Sequence, residues 1–182
     1  VWVVCLCRKS VRDFHRHPLR LTNNATLELG NLATNYQVGA DLVVDGNGTL
    51  LLNNAGGSAT ASNNALVVGR KNHVSGTQVF LGGTGKTDSA LILGGGGVLN
   101  PGDGGPGTLT INNDVTFEPG AKYRWKRDGS QTDLLVVNGN LTINDNFEIQ
   151  VVQYKADGRS AIDIITYTGS FTGDPTKWTL TP

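Results

Sequence analysis

Asp41-Leu42-Val43-Val44-Asp45-Gly46-Asn47-Gly48-Thr49-Leu50 returns later in the chain as Asp133-Leu134-Leu135-Val136-Val137-Asn138-Gly139-Asn140-Leu141-Thr142. Shorter versions are Ala65-Leu66-Val67-Val68-Gly69 and Ala90-Leu91-Ile92-Leu93-Gly94. Leu42, Leu66 and Leu91 stand 24 and 25 residues apart. A strand-sized apolar unit that recurs at this spacing, with Gly and Asn turns between, predicts a β-solenoid. Stacked units cover one another's apolar faces, so such a chain is more often a scaffold or a surface than a catalyst.

Composition agrees. Gly accounts for 25 of 182 residues, aromatics for 7% and charged residues for 16%, against about 25% charged in an average soluble domain. Asn, Thr, Gly, Leu and Val fill the body. Thr and Val suit strands, Gly and Asn suit turns, and no stretch repeats its apolar residues with a 3.6 period. The length is enough for one domain with a core.

From Leu21 onward the order is strand, turn, strand. Thr26–Leu29, Leu42–Val44, Thr49–Leu52, Leu66–Val68, Thr77–Leu81, Leu91–Leu93, Thr108–Ile111 and Val115–Phe117 are the apolar runs. They are continuous more often than strictly alternating, which predicts half-buried strands mixed with more fully covered ones. Leu42, Val44, Leu66, Val68, Leu91 and Leu93 are expected to line one stacked core. At roughly 25 residues per coil, the body has room for about six or seven coils. Four Asn-Asn doublets, at 23–24, 53–54, 63–64 and 112–113, mark strand ends. Asn accepts the left-handed conformation at a corner, and aligned corners could let Asn side chains bond in a ladder.

The two ends differ from the body. Residues 1–20 carry Arg8, Lys9, Arg12, Arg16 and Arg20 against Asp13, while the other 162 residues hold 10 basic and 14 acidic groups. They read as a poorly ordered, non-repeat basic flank, with residues 21–182 as the solenoid domain. Val1–Cys7 is apolar before the chain turns basic, the reverse of a secretory signal. It is also far short of the about 20 residues that span a bilayer. With no Met in the sequence, the chain reads as a fragment of a longer one. Cys5, Cys7, His15 and His17 match no zinc spacing, so no metal is expected there. A mildly acidic body argues against nucleic-acid binding, which needs a basic face. At the other end, residues 121–182 hold heavier side chains, among them Tyr123, Trp125, Phe147, Tyr154, Tyr167, Phe171 and Trp178. They predict a larger, more sandwich-like C-terminal cap over the open end of the solenoid.

An ordered series of phrases carries a family likeness. Leu99-Asn100-Pro101-Gly102-Asp103 is followed by Gly107-Thr108-Leu109-Thr110-Ile111. Next come Val115-Thr116-Phe117-Glu118-Pro119-Gly120-Ala121-Lys122-Tyr123 and Asp133–Gly139, and the chain closes on Ile164–Gly173. Over about residues 40–175 this resembles the C-terminal passenger region of bacterial autotransporters and proteins with autotransporter-associated β-strand repeats. The resemblance implies an all-β, right-handed parallel β-helix, exported to the cell surface or beyond a Gram-negative-type outer membrane. Its exporting β-barrel would lie outside this stretch, because residues 147–152 and 161–167 are too few and too short to be barrel strands. The partners it implies are host or matrix surfaces or glycans.

Signals of chemistry are incomplete. Gly82-Gly83-Thr84-Gly85-Lys86-Thr87 ends like a phosphate-binding loop, but Phe80 stands where the first Gly should be and no helix pattern follows. The same stretch nearly fits a calcium-binding nonapeptide, yet Asp88 is one place late and the motif occurs once. Lys122, Arg124, Lys126, Arg127, Asp128 and Asp133 form the best charged cluster. Lys122, Arg124 and Lys126 would share a strand face by the period of two, and the simple reading is a solvated outer face. His73 has no evident partner. Asn24, Asn47 and Asn140 open Asn-x-Thr sequons. The expectation is therefore a structural passenger stalk or adhesin segment with no catalytic, cofactor-binding or metal-binding residues. The alternatives are a carbohydrate-active β-helix fragment, a polysaccharide lyase or hydrolase with clustered carboxylates, and a sugar-binding module. That module would need Tyr123, Trp125 or Trp178 exposed as a flat platform.

Overall fold

The computed structural model describes residues 3–5, 19–21, 26–29, 36–38, 42–44, 48–53, 59–61, 65–69, 78–102, 104–155, 158 and 161–182. Among them one short 3-10 turn, Pro175–Lys177, is the sole helical element; the rest is strand and turn. The strands form three sheets whose spatial order is the order of the sequence. The first face holds Val3–Cys5, Thr26–Leu29, Thr49–Leu52, Val79–Gly83, Gly97–Pro101, Lys122–Asp128, Glu148–Lys155 and Thr179–Thr181. The second holds Tyr36–Val38, Ala59–Ala61, Lys86–Thr87, Thr108–Ile111, Leu134–Val137 and Ile165–Tyr167. The third holds Leu19–Leu21, Leu42–Val44, Ala65–Val68, Ala90–Leu93, Val115–Phe117, Leu141–Ile143 and Phe171–Gly173.

The chain visits the three faces in turn and then pairs with the coil it has just completed, so neighbours in each stack run parallel. The six strands of the second face mark six coils among the described residues, within the six or seven expected. This is a parallel β-solenoid. Closing the three faces around a common interior leaves each strand one covered face, and burial alternates accordingly in Thr49–Leu52, Ala90–Leu93 and Leu134–Val137.

The interior is built from aligned columns. Leu42 pairs with Leu66, Leu66 with Leu91, Leu91 with Val115 and Val115 with Leu141. The 24- and 25-residue spacing therefore sets the true register. Leu66, Val68, Leu91 and Leu93 are buried in one core cluster; the side chains of Leu42 and Val44 lie outside the described residues. On the first face the column runs Leu27, Leu50, Leu81, Leu99, Tyr123 and Ile149. The long repeated phrase has a different basis. Its first copy places strands on the third and first faces, at Leu42–Val44 and Thr49–Leu52. Its second copy places them on the second and third, at Leu134–Val137 and Leu141–Ile143. Strand–corner–strand is the same physical problem at every corner, and similar residues solve it on different faces.

Gly69 shows what a corner demands. Its φ of +68° lies in the left-handed region, and a Cβ there would run into the backbone of Gly96 and Gly97 in the next coil. Its carbonyl accepts from Gly96 N–H at 3.1 Å. The Gly94–Gly97 run is thus a site of close approach between coils.

Two strands from the expected basic flank are in the stack. Val3–Cys5 pairs with Thr26–Glu28, and Leu19–Leu21 pairs with Leu42–Val44; the rest of residues 1–18 lies outside the described residues. The heavier C-terminal part keeps solenoid register through Thr181, with Glu148–Gln150 paired to Thr179–Thr181. Its added bulk enters in two ways. Lys122–Asp128 and Glu148–Lys155 are long, and Gln131–Thr132 folds back antiparallel on Arg127–Asp128. Aromatic rings meet tilted or edge to face: Phe117 and Phe147 at 4.9 Å between centroids, Phe147 and Trp178 at 5.6 Å, and Trp178 and Phe171 at 6.1 Å.

Candidate functional site

The charged run 122–133 sits where the regular wall is interrupted. The register of Lys122–Asp128 against Glu148–Lys155 shifts between Trp125 and Lys126. The extra, unpaired residue is Val152, on the Glu148–Lys155 strand. Lys122 and Arg124 remain on the outside, where Lys122 pairs with Glu148 and the Arg124 guanidinium lies over the Phe80 ring at 5.8 Å. Lys126 is buried where Lys122 and Arg124 are half-exposed, so the three do not share the solvated face expected of them. Of the expected solvated cluster, Asp128 is exposed, whereas Lys126, Arg127 and Asp133 are buried.

Around Lys126 the contacts are dense. Its ammonium meets Asp133 Oδ2 at 2.7 Å and donates to Asn100 Oδ1 at 2.8 Å and to the Pro101 carbonyl at 2.7 Å. Asp133 is 0% exposed. Its Oδ1 accepts from Gly107 N–H at 2.8 Å and its Oδ2 from Lys126 N–H at 2.9 Å. Loss of water raises the Asp133 pKa above the usual carboxylate range, although the Lys126 ammonium and the two backbone N–H groups pull it back. Burial, with the Asp133 charge beside it, also holds the Tyr123 phenol well above its ordinary value. The Tyr123 hydroxyl donates to the Ile164 carbonyl, and Trp125 Nε1–H donates to Thr132 Oγ1 at 2.9 Å. The hairpin is thereby tied to the coil before it, through Asn100, Pro101 and Gly107, and to the coil after it, through Ile164.

A second polar feature runs along the corner between the second and third faces. Asn138 Nδ2 donates to Asn112 Oδ1, and Asn112 Nδ2 donates to Asp88 Oδ1, both at 2.8 Å. Beside it, Asp114 Oδ1 accepts from Asn140 N–H at 2.7 Å, and Asn140 Oδ1 from Ser170 N–H at 2.9 Å. The ladder expected of the Asn corners is present, with aspartates as members. Of the doublets, Asn112-Asn113 and Asn53 are described; Asn53 Nδ2 donates to Glu28 Oε1 at 3.0 Å. The remaining doublet residues lie outside the described residues.

The other expected sites resolve as follows. Gly82–Thr87 joins the end of one strand to Lys86–Thr87, a strand of the second face, and the segment after Asp88-Ser89 is another strand. No helix stands there to cradle a phosphate, and Asp88 is engaged by Asn112. Among the described residues no three His, Cys, Asp or Glu side chains converge on a metal position. Cys7, His15, His17 and His73 lie outside the described residues. The platform required of a sugar-binding module is not formed: Tyr123 and Trp125 are buried, and Trp178 packs between Phe147 and Phe171. The exposed ring beside this region is Tyr154, next to the Arg127 guanidinium at 5.6 Å. Reading residue types along the chain missed Asn100 as a partner of Lys126, because the two stand 26 residues apart, one in the coil before. The Gly129-Ser130 pair between Asp128 and Gln131 was the available signal of a tight hairpin.

No family model and no solved structure matches the chain. Among curated proteins, the Adhesin BmaC autotransporter of Brucella suis biovar 1 (strain 1330) is 33% identical over 82 residues, 42% of this chain and 2% of the adhesin. The chain thus spans a small fraction of the length of the relative it matches. The parallel three-faced solenoid and this similarity together fit the passenger region of an autotransporter.

Proposed function

We propose that the chain is a structural segment of an exported passenger, a stalk or adhesin piece displayed at the cell surface, without catalysis of its own. The observation that carries the reading is the parallel register held across three faces, from Leu19–Leu21 to Thr179–Thr181. Polar side chains are used mainly between successive coils: Asn112 with Asp88 and Asn138, Lys122 with Glu148, and Lys126 with Asn100. A chain arranged this way presents a long, stiff outer wall. The partners proposed for that wall are host or matrix surfaces or glycans. The export route is an outer-membrane β-barrel encoded elsewhere in the polypeptide or beside it.

The test is retention of beads coated with the purified chain on matrix-coated and glycan-coated surfaces, alongside incubation with pectin and alginate. The reading expects retention on at least one surface and no product release from either glycan. Release of unsaturated or reducing ends that disappears in Arg124→Ala or Glu148→Gln would replace it with the carbohydrate-active alternative. Both residues lie on the outer wall, so their loss leaves the interior intact.

A further inference from the structure

We propose that Lys126 and Asn100 become joined by an intramolecular amide bond, with Asp133 as the proton carrier, so that two neighbouring coils are covalently linked. Three observations converge. The Lys126 Nζ is hydrogen-bonded to the side-chain amide of Asn100 at 2.8 Å and to Asp133 Oδ2 at 2.7 Å, so nucleophile, acyl group and acid share one point. The amine and the acid are buried, Asp133 fully and Lys126 at 8% exposed, with Tyr123 and Trp125 packed in the same strand, while the Asn100 side chain is half-buried beside them. The three side chains come from different places, the strand Gly97–Pro101, the strand Lys122–Asp128 and the residue that follows the hairpin, and the antiparallel return of Gln131–Thr132 on Arg127–Asp128 brings Asp133 back to Lys126. Holding reacting groups in contact is worth many orders of magnitude in effective concentration.

The chemistry balances without a cofactor. The reaction begins when one ammonium proton passes to Asp133 Oδ2, 2.7 Å from Nζ, leaving a neutral amine beside a carboxylic acid. The Nζ lone pair adds to Asn100 Cγ, forming the new C–N bond. Asp133 takes a proton from Nζ and delivers one to the amide nitrogen of Asn100. In the adduct that nitrogen is two bonds from Nζ, within reach of a carboxyl already 2.7 Å from Nζ. The Cγ–N bond then breaks, ammonia leaves and carries away the surplus proton as ammonium, and Asp133 returns to the carboxylate. Nothing is oxidised or reduced. This inference stands on local geometry and does not rest on the surface-display reading.

Intact-mass measurement of the purified chain tests it without any substitution. The expected mass is lower than that of the sequence by about 17 Da, one ammonia. In a tryptic digest, an acylated Lys126 resists cleavage. The peptide Trp125–Arg127 should therefore be found branched to Thr87–Lys122, which carries Asn100. Asp133→Asn, close in shape but unable to carry the proton, should keep the full mass and yield linear peptides, and Lys126→Arg should do the same. Full mass in the folded wild-type chain would overturn the proposal. So would a loss of about 18 Da with Lys126 branched to Asp133, since water would then have left and Asn100 would not be the acceptor. Branched peptides persisting in Asp133→Asn would remove Asp133 from the reaction and overturn its assignment as proton carrier.

Discussion

Leu91→Ala and Leu180→Ala make the same chemical deletion at two levels of the same stack, and they should differ sharply. Leu91 is 1% exposed and sits between Leu66 and Val115, themselves buried. Neighbours above and below are fixed by strand pairing, so the site has little freedom to collapse after truncation. A rigid site of this kind belongs in the upper part of the Leu→Ala range, about 3–4 kcal/mol. Leu180 is 70% exposed on the last strand of the first face. Burying a whole leucine is worth about 1.5–3 kcal/mol, so the covered third of Leu180 should lose only about 0.5–1 kcal/mol. Urea unfolding followed by far-ultraviolet circular dichroism measures both. In a stack with nearest-neighbour coupling, Leu91→Ala has a second signature. Weakening the middle can divide the array into two cooperative blocks, visible as a lower apparent m-value. Equal losses at the two positions, or a loss below about 1 kcal/mol at Leu91, would refute the stacked-core register.

Three further outcomes follow from the polar and corner contacts. Asn112→Ala removes a donor to Asp88 and an acceptor for Asn138, and should cost about 1–2 kcal/mol; combined with Asn138→Ala the losses should be less than additive, a double-mutant cycle in urea being the check. Gly69→Ala should destabilise more than Gly129→Ala in the same assay: both positions have positive φ, but a Cβ at 69 meets the next coil's backbone whereas one at 129 meets open space. Glu148 has its pKa lowered by hydrogen bonds from Lys122 first, then Gln150 and Thr181. A lowered folded-state value means its contribution is present above the ordinary carboxylate range and is lost as pH falls through the folded value. The stability gap between wild type and Glu148→Gln should therefore close on acidification, and a gap that widened would contradict the assignment.

The fold was legible because the apolar spacing and the strand register are the same quantity. Leu42, Leu66 and Leu91 are separated by one coil, and a column of leucines is the direct imprint of a stack. The Asn ladder was legible for the same reason, since Asn112 and Asn138 repeat at one corner. What could not be read was any feature that departs from the repeat. The strict two-residue alternation assigned Lys126 to the solvent face with Lys122 and Arg124. Lys126 is instead covered, by the hairpin that returns Asp133 to it and by Asn100 and Pro101 of the coil before, and no residue type in 122–128 marks a contact made by another coil. The long phrase shared by 41–50 and 133–142 misleads in the opposite way. It is a likeness of corners, and its two copies occupy different faces.

The buried pair itself remains to be accounted for physically. Two charges taken out of water lose several kcal/mol of hydration each, and their mutual attraction with good hydrogen bonds does little more than offset that loss. An apolar pair of similar volume would hold the hairpin against Gly107 and Pro101 at no greater cost. Stability alone is therefore a weak reason for Lys126 and Asp133 to face each other inside the wall. Two properties distinguish the ion pair from an apolar substitute. It recognises one register of the hairpin, because Asp133 must meet Lys126 Nζ, Lys126 N–H and Gly107 N–H together. It also holds a buried amine against the half-buried Asn100 amide. Register alone would be served by Lys126 and Asp133 with any acceptor at position 100. The presence there of a side chain with an acyl carbon and a leaving group is what bond formation additionally requires. Asn100→Ser separates the two. It keeps an oxygen near Lys126 but has no acyl group, so register would survive with the full mass retained and ordinary cleavage after Lys126.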